Sequence, residues 1–132
     1  MPLEGVVHAL RNIHAALVPD AIVVDTQPVS ARPPVASGGV ALGALDMRKW
    51  LKTIQAIDEL FAETISVGLY ELQHEARFVV TDTYDNGPEC LEIVGSWRGT
   101  SVPDSVSTEL RAATSLVTVQ QEVRLRLLRR RP

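Results

Sequence analysis

The apolar positions between residues 3 and 17 recur at helical spacing and predict an amphipathic helix, Leu3–Leu17. Separations of three and four residues place such side chains on one side of a helix. Those on this face are Val6, Leu10, Ile13 and Leu17. Pro19 ends the helix, because the residue before a proline is pushed out of the helical region. The opening segment is therefore a helix followed by a tight turn.

A short run of β-branched residues follows the turn. Ile22-Val23-Val24-Asp25 places apolar side chains at successive positions. Such a run is typical of a strand that is covered on both faces, as in a parallel sheet. We expect this strand, taken as Ile22–Thr26, to pair with neighbours from the rest of the chain.

Proline and glycine dominate the next segment, Thr26–Ala44, and predict a long loop. Ser37-Gly38-Gly39 also has the composition of a tight turn, which predicts a small hairpin between Val35 and Val40–Leu42. Long loops in compact domains are often functional.

Asp46 predicts the cap of a long helix, Met47–Ser66. Basic residues follow the cap and acidic residues come later, which is the unfavourable order relative to the helix dipole. The helix must therefore be held by packing of its apolar face. The residues on this face are Met47, Trp50, Leu51, Ile54, Ile57, Phe61 and Ile65.

Two long segments alternate between apolar and polar residues and predict paired strands, Leu69–Tyr84 and Leu116–Leu128. The first has its apolar face at Tyr70, Leu72, His74, Ala76, Phe78, Val80 and Tyr84; the second has it at Val117, Val119, Val123, Leu125 and Leu127. Between them, Pro88 and Pro103 mark the starts of two short helices, the second ending near Ala113.

The order helix, strand, helix, strand, helices, strand predicts a single α/β domain over residues 1–132. We expect a short mixed sheet with helices on both faces. Its first two strands would be parallel and joined by a right-handed crossover, and the C-terminal strand would run antiparallel between or beside them.

Composition agrees with a globular domain and limits its setting. Hydrophobic residues make up 45% and charged residues 22% of the 132 positions. A lone cysteine, Cys90, cannot form an internal disulfide, and this predicts a cytoplasmic protein. No apolar run reaches the roughly 20 residues of a membrane span, and charged residues interrupt the N-terminal pattern where a signal peptide would be apolar.

The last nine residues hold five arginines and no acid: Arg124, Arg126, Arg129, Arg130 and Arg131. The other 123 positions hold eight basic and sixteen acidic side chains. A basic tail can bind nucleic acid, but no second basic patch or aromatic platform accompanies this one. We therefore expect a solvated strand end and a frayed terminus.

Residues Val7–Pro19 and Ile22–Asp25 together resemble class I S-adenosylmethionine-dependent methyltransferases. In that family a helix of the type alanine-leucine-arginine-glutamate-x-x-arginine-x-leucine runs into lysine-proline-glycine-glycine and then a strand. Here Asp20-Ala21 stands in place of the two glycines. The resemblance spans most of the chain and implies the C-terminal half of such an enzyme, which shapes the substrate side. It also implies the strand order Ile22–Thr26, Leu116–Leu128, Leu69–Tyr84.

The family holds its cofactor with a glycine-rich loop after the first strand and an acidic residue at the end of the second. Gly38, Gly39 and Gly43 do not follow a strand and open a helix as such a loop requires. We therefore expect no active methyltransferase and no bound cofactor in this chain alone. S-adenosylmethionine would enter only with a separate chain that supplies the missing half.

The strand order implied by the resemblance leaves one edge of Ile22–Thr26 open. An open apolar edge is a pairing hazard that proteins cover. We expect a homodimer, with a separate cofactor-binding chain as the second choice, and we expect neither membrane nor nucleic acid as a partner.

An alternative function is a free-standing small-ligand binder or enzyme with a pocket under the Gln27–Ala44 loop. Its candidate residues are Asp25, Gln27, His74 and Tyr84. Asp25 ends a strand, where α/β proteins place ligands, although strand-end capping is the simpler interpretation. We interpret His74 as a hydrogen-bonded core residue, and the alternative is a role as a proton shuttle.

Three further features have ordinary structural interpretations. His8 and His14 are six residues apart and do not share a helical face, so they predict no metal pair. Cys90 is read as a small core residue. Trp97-Arg98-Gly99 is read as a helix end with a packed tryptophan, and a pocket border is the alternative.

Overall fold

The computed structural model describes residues 11–132. After the helical residues 11–16 come β1 (Ile22–Pro28), β2 (Pro34–Ser37), β3 (Val40–Ala44), α1 (Arg48–Ser66), β4 (Tyr70–Tyr84), α2 (Gly87–Gly95), α3 (Asp104–Ala112) and β5 (Val117–Arg130). The predicted helix Leu3–Leu17 is helical over residues 11–16. Its apolar positions Val6 and Leu10 lie outside the described residues, as does His8.

The five strands form one antiparallel sheet in which β5 is the common neighbour of β1, β2 and β4. The predicted short mixed sheet, with its first two strands parallel and the C-terminal strand antiparallel, is therefore wrong. The strand order expected from the resemblance is present, since β5 pairs with both β1 and β4. Because β5 lies between them, those two strands never meet, and each of their ladders is antiparallel.

The predicted burial of the first strand on both faces is also wrong. Ile22 and Val24 of β1 are 50% and 60% exposed, whereas Asp25 on the opposite face is buried. A continuous apolar run is therefore not evidence for a parallel strand here, because half of the run faces outward.

The chain forms two compact units. The described part of the first unit comprises residues 11–27, 53–77 and 124–132, and the second unit comprises residues 28–52 and 78–123.

The second unit has an apolar core. Its nine buried members are Val35, Leu45, Tyr84, Cys90, Val94, Val106, Leu110, Val117 and Val119. The predicted hairpin is confirmed as β2 and β3, whose turn places Gly38 and Gly39 at φ angles of 57° and 79°. Both angles lie in the left-handed region that only glycine adopts cheaply.

Helices α2 and α3 pack closely within the second unit. Asn86 caps α2 by accepting a hydrogen bond from the backbone N–H of Glu89 at 2.9 Å. Gly87 begins the helix, and a Cβ at this position would lie 1.7 Å from the carbonyl oxygen of Leu110. Cys90 is fully buried, which confirms its prediction as a small core residue.

The first unit has a smaller apolar cluster, with Phe61, Tyr70 and Leu128 buried. Arg124 and Arg126 occupy the same face of β5 as Leu128 and are 7% and 9% exposed. The predicted solvated strand end is wrong for these two arginines. The alternation placed Leu125 and Leu127 inside, but in this half of β5 the even-numbered residues are the buried ones.

Strand β4 lacks the continuous buried face that its alternation predicted. Only its end residues, Tyr70 and Tyr84, are buried, whereas Leu72 and Phe78 are 41% and 43% exposed. His74 is exposed, so its interpretation as a core residue is wrong.

The turn before β1 is shaped by Asp20, which has a φ of 66°. Its backbone N–H donates to the carbonyl of Arg130 at 3.2 Å, and the N–H of Arg130 donates to the carbonyl of Ala21 at 2.9 Å. Two residues thus face one, which is the arrangement of a β-bulge whose first position favours glycine.

Candidate ligand-binding cleft

Two of the sequence-predicted site residues, Asp25 and Gln27, meet in the first unit. Arg126 donates from Nε and Nη2 to Oδ2 of Asp25 at 3.0 and 2.9 Å. Gln27 donates from Nε2 to Oδ1 of Asp25 at 3.1 Å. Both oxygens of this buried carboxylate are thus engaged, so Asp25 acts as a structural ion-pair partner.

The ion pair extends to helix α1. Arg124 donates from Nη1 and Nη2 to the two carboxylate oxygens of Asp58 at 2.9 and 2.6 Å. Arg126 also approaches Asp58 at 3.0 Å, and its guanidinium carbon lies 4.7 Å from the centre of the Phe61 ring. Hydrogen bonding to Asp58 raises the pKa of Arg124 against the opposing effect of burial. The network links β5 to α1 through charge-assisted hydrogen bonds.

The other two predicted residues lie elsewhere. His74 is exposed on β4. Tyr84 belongs to the apolar core of the second unit, where burial, with a smaller contribution from Asp82, raises its pKa to about 12. Its hydroxyl therefore stays protonated at neutral pH and does not act as a base.

The cavity with the most distinctive lining lies in the second unit, at the C-terminal end of β1. It has a volume of about 340 Å³. The residues that line it are Pro28, Trp50, Trp97, Arg98 and Gln121. These include both tryptophans of the chain, although the sequence places them 47 positions apart. We call this cavity the two-tryptophan cleft.

Backbone contacts fix both tryptophans of the two-tryptophan cleft. Trp50, near the start of α1, donates from Nε1 to the carbonyl of Pro28 at 3.1 Å. The backbone N–H of Trp50 donates to the carbonyl of Gly99 at 3.3 Å. Gly99 has a φ of 66°, and a Cβ there would lie 2.7 Å from the Trp50 nitrogen. Only glycine allows the Trp97-Arg98 segment to approach α1 this closely.

The polar groups of the cleft are Arg98 and Gln121. Gln121 donates from Nε2 to Oδ2 of Asp82 at 3.2 Å, which leaves its side-chain carbonyl oxygen as an acceptor. Arg98 is exposed and follows the end of α2. Within residues 11–132 its guanidinium has neither a carboxylate partner nor a hydrogen-bond acceptor.

A second cavity of the same unit, of about 300 Å³, is mostly cationic. It is lined by Asp46, Arg48, Lys49, Lys52 and Ser101. The Arg48 side chain donates to both oxygens of Asp46 at 3.0 and 2.7 Å, and this pairing holds the pKa of that carboxyl well below its usual range. Asp46 also accepts from the backbone N–H of Arg48, which confirms its predicted role at the start of the helix.

The sequence indicates a pocket border at Trp97-Arg98-Gly99 as an alternative, but it does not indicate that Trp50 lines the same cleft. Trp97-Arg98-Gly99 was read as a helix end with a pocket border as the alternative, whereas Trp50 was assigned to the apolar face of the helix. The available signal was Gly99, since a glycine directly after a Trp-Arg pair indicates a close backbone approach. Nothing in the sequence indicated that this approach was to Trp50.

No protein-family model and no curated protein matches this chain. The described residues contain no group of three or more potential metal ligands. None of the helices over residues 11–132 has the length and apolar character needed to cross a membrane.

Proposed function

We propose that the second unit binds a small aromatic molecule in the two-tryptophan cleft. The observation that carries the proposal is the convergence of both tryptophans of the chain on one cavity of about 340 Å³. Ligand pockets of this size are lined mainly by apolar and aromatic side chains with a few fixed polar groups. Indole faces favour flat aromatic partners through stacking and edge-to-face contacts.

The anchoring of the indoles supports binding to a preformed site. Trp50 is held by its own hydrogen bond to Pro28, and Gly99 fixes the segment that carries Trp97. Rigid aromatic side chains lose little conformational entropy when a ligand binds. The lining residues include no carboxylate, histidine, cysteine or hydroxyl group, so the proposed activity is binding.

The test uses the indole N–H resonances of the two tryptophans, with indoleacetamide as a neutral aromatic probe. We expect both resonances to shift during a titration and to yield one dissociation constant. Trp97→Ala should remove the response of Trp50. Phe78→Ala, which truncates an exposed aromatic residue outside the cleft, is the matched control and should leave the titration unchanged. Unchanged indole resonances at millimolar probe would refute binding.

A second candidate function is a methyltransferase-like C-terminal half that self-associates. Two observations favour it. The strand order β1, β5, β4 with an antiparallel β5 is the order that the resemblance implies. Strand β1 is also the terminal strand of its path through the described sheet, and it exposes Ile22 and Val24. A second copy of the chain would cover this strand by pairing about a two-fold axis.

Light scattering tests the self-association. We expect a dimer mass for the natural chain and a monomer mass for Val24→Lys. Val40→Lys changes an equally exposed valine of β3 and should remain dimeric. A monomer mass for the natural chain at high concentration would instead favour the separate cofactor-binding chain. Calorimetry with S-adenosylmethionine should show no binding to this chain alone.

A further inference from the structure

We infer that the two-tryptophan cleft selects an aromatic acid, with the ring against the indoles and the acid group on Arg98. The inference rests on the proposed binding function, because it names the ligand class for the same site. It adds selection by charge to the recognition of an aromatic ring.

Arg98 is the charged residue of the cleft lining. Arg124 and Arg126 of β5 pair with carboxylates, and Arg48 is held by Asp46 at two oxygens. Arg98 has no such partner within residues 11–132 and is the only ionisable side chain among the five that line the cleft. A planar guanidinium with its donors free matches a carboxylate, which accepts two parallel hydrogen bonds.

The charged residues in and around the cleft determine which sign of ligand charge is favoured. In the same unit, the cationic cavity beside the first turns of α1 is lined by three basic side chains and one acid, Asp46. The carboxylate of Asp82 accepts a hydrogen bond from Gln121 and is not itself among the lining residues. Arg98 is the charged residue of the lining, so it favours a negatively charged ligand and disfavours a cationic one.

Gln121 is the other polar residue that lines the cleft. Because Asp82 accepts the amide N–H of Gln121, the Gln121 carbonyl oxygen is oriented as an acceptor. This oxygen suits a ligand that carries an N–H on its ring. An aromatic acid with a ring N–H thus satisfies both polar groups, and indoleacetate is a simple probe of that class.

The experiment compares three probes of the same ring by calorimetry: indoleacetate, neutral indoleacetamide and cationic tryptamine. For the natural chain we expect indoleacetate to bind about fivefold or more tightly than indoleacetamide, as an exposed charge pair of good geometry gives. Tryptamine should bind most weakly. Arg98→Gln should remove the difference in affinity between the acid and the amide. Arg111→Gln, an exposed arginine on α3, is the matched control and should keep the difference.

The outcomes separate the two proposals. Equal affinity of the natural chain for acid and amide would overturn the inference of charge selection and leave aromatic binding intact. Loss of the difference in Arg111→Gln as well as in Arg98→Gln would also overturn it, because the effect would then come from net charge. Failure of all three probes to bind would refute both the proposed function and this inference.

Discussion

The interiors of the two units differ in what fills them. The second unit buries nine apolar side chains in one cluster. Among its described residues, the first unit has a cluster of three buried apolar side chains, and two buried arginines lie on the same face of β5 as Leu128 of that cluster. Ion pairs therefore contribute to the interior of the first unit, whereas apolar packing stabilises the interior of the second unit.

The difference predicts how each interior responds to change. An apolar core does not depend on ion pairs for its stability. Added side-chain volume destabilises it, because protein interiors are close-packed. A buried ion network tolerates small changes of shape but loses several kcal/mol when one partner is removed and a charge is left alone. Substitutions at three positions and one alkaline titration test this comparison, from the largest expected effect to the smallest.

The volume limit of the second unit is tested by Gly87→Ala. The added methyl group would lie 1.7 Å from the carbonyl oxygen of Leu110, a backbone atom that cannot turn away. We expect a loss of about 3 kcal/mol or more in the free energy of unfolding, measured with urea. Gly95→Ala on the same helix has no atom within 4 Å of the new methyl and is the matched control. It should be neutral or stabilising, and equal destabilisation by both changes would remove the packing argument.

The ion network of the first unit is tested by Asp58→Ala. This change removes the carboxylate that both buried arginines share. We expect a loss of about 3 kcal/mol in unfolding free energy, since Arg124 would lose both of its hydrogen bonds to a carboxylate and keep only the longer ion pair with Glu75 at 4.0 Å. Glu59→Ala, at the exposed neighbouring position of α1, should change stability by less than about 0.5 kcal/mol. Matching losses in the two variants would show that the network is not a structural element.

The contrast also explains which parts of the molecule the sequence could predict. The hairpin, the capped helix α1 and the position of Cys90 follow from local chemistry, and all three predictions are confirmed. The interior of the first unit could not be predicted in this way. Arg124 and Arg126 look like solvent-facing residues until Asp58 and Asp25, distant in sequence, are placed opposite them.

Two other errors have the same physical origin. Alternation in β4 shows which residues share a face, but it does not show whether anything covers that face, and His74 proved to be exposed. The direction of β1 was inferred from its apolar run alone, and the long-range pairing with β5 made its ladder antiparallel. The two-tryptophan cleft likewise depends on a long-range contact, between Gly99 and Trp50.

The pH dependence of stability at alkaline pH tests the apolar core of the second unit. Burial, with a smaller contribution from Glu89, raises the pKa of the Cys90 thiol from 9.0 to about 11. The folded state therefore keeps a proton that the unfolded chain loses above pH 9.0, and stability falls between the two values. We expect about 1 kcal/mol to be lost between pH 8 and pH 10 from this group. Cys90→Ala should reduce that loss, and an unchanged pH dependence would contradict the role of the thiol.

The smallest expected effect lies in the first unit, at the bulge where Asp20 has a φ of 66°. Glycine adopts this conformation without strain, whereas a residue with a Cβ is disfavoured there and aspartate is among the more tolerant. The ion pair with Arg129, at 3.7 Å from a side chain that is 72% exposed, adds little. We therefore expect Asp20→Gly to stabilise the protein by about 0.5 kcal/mol and Asp20→Ala to destabilise it by about 1 kcal/mol. Urea unfolding measures both. If Asp20→Gly were less stable than the natural chain, the charge of Asp20 would matter more than its backbone conformation, and ion pairing would stabilise the first unit at its surface as well as in its interior.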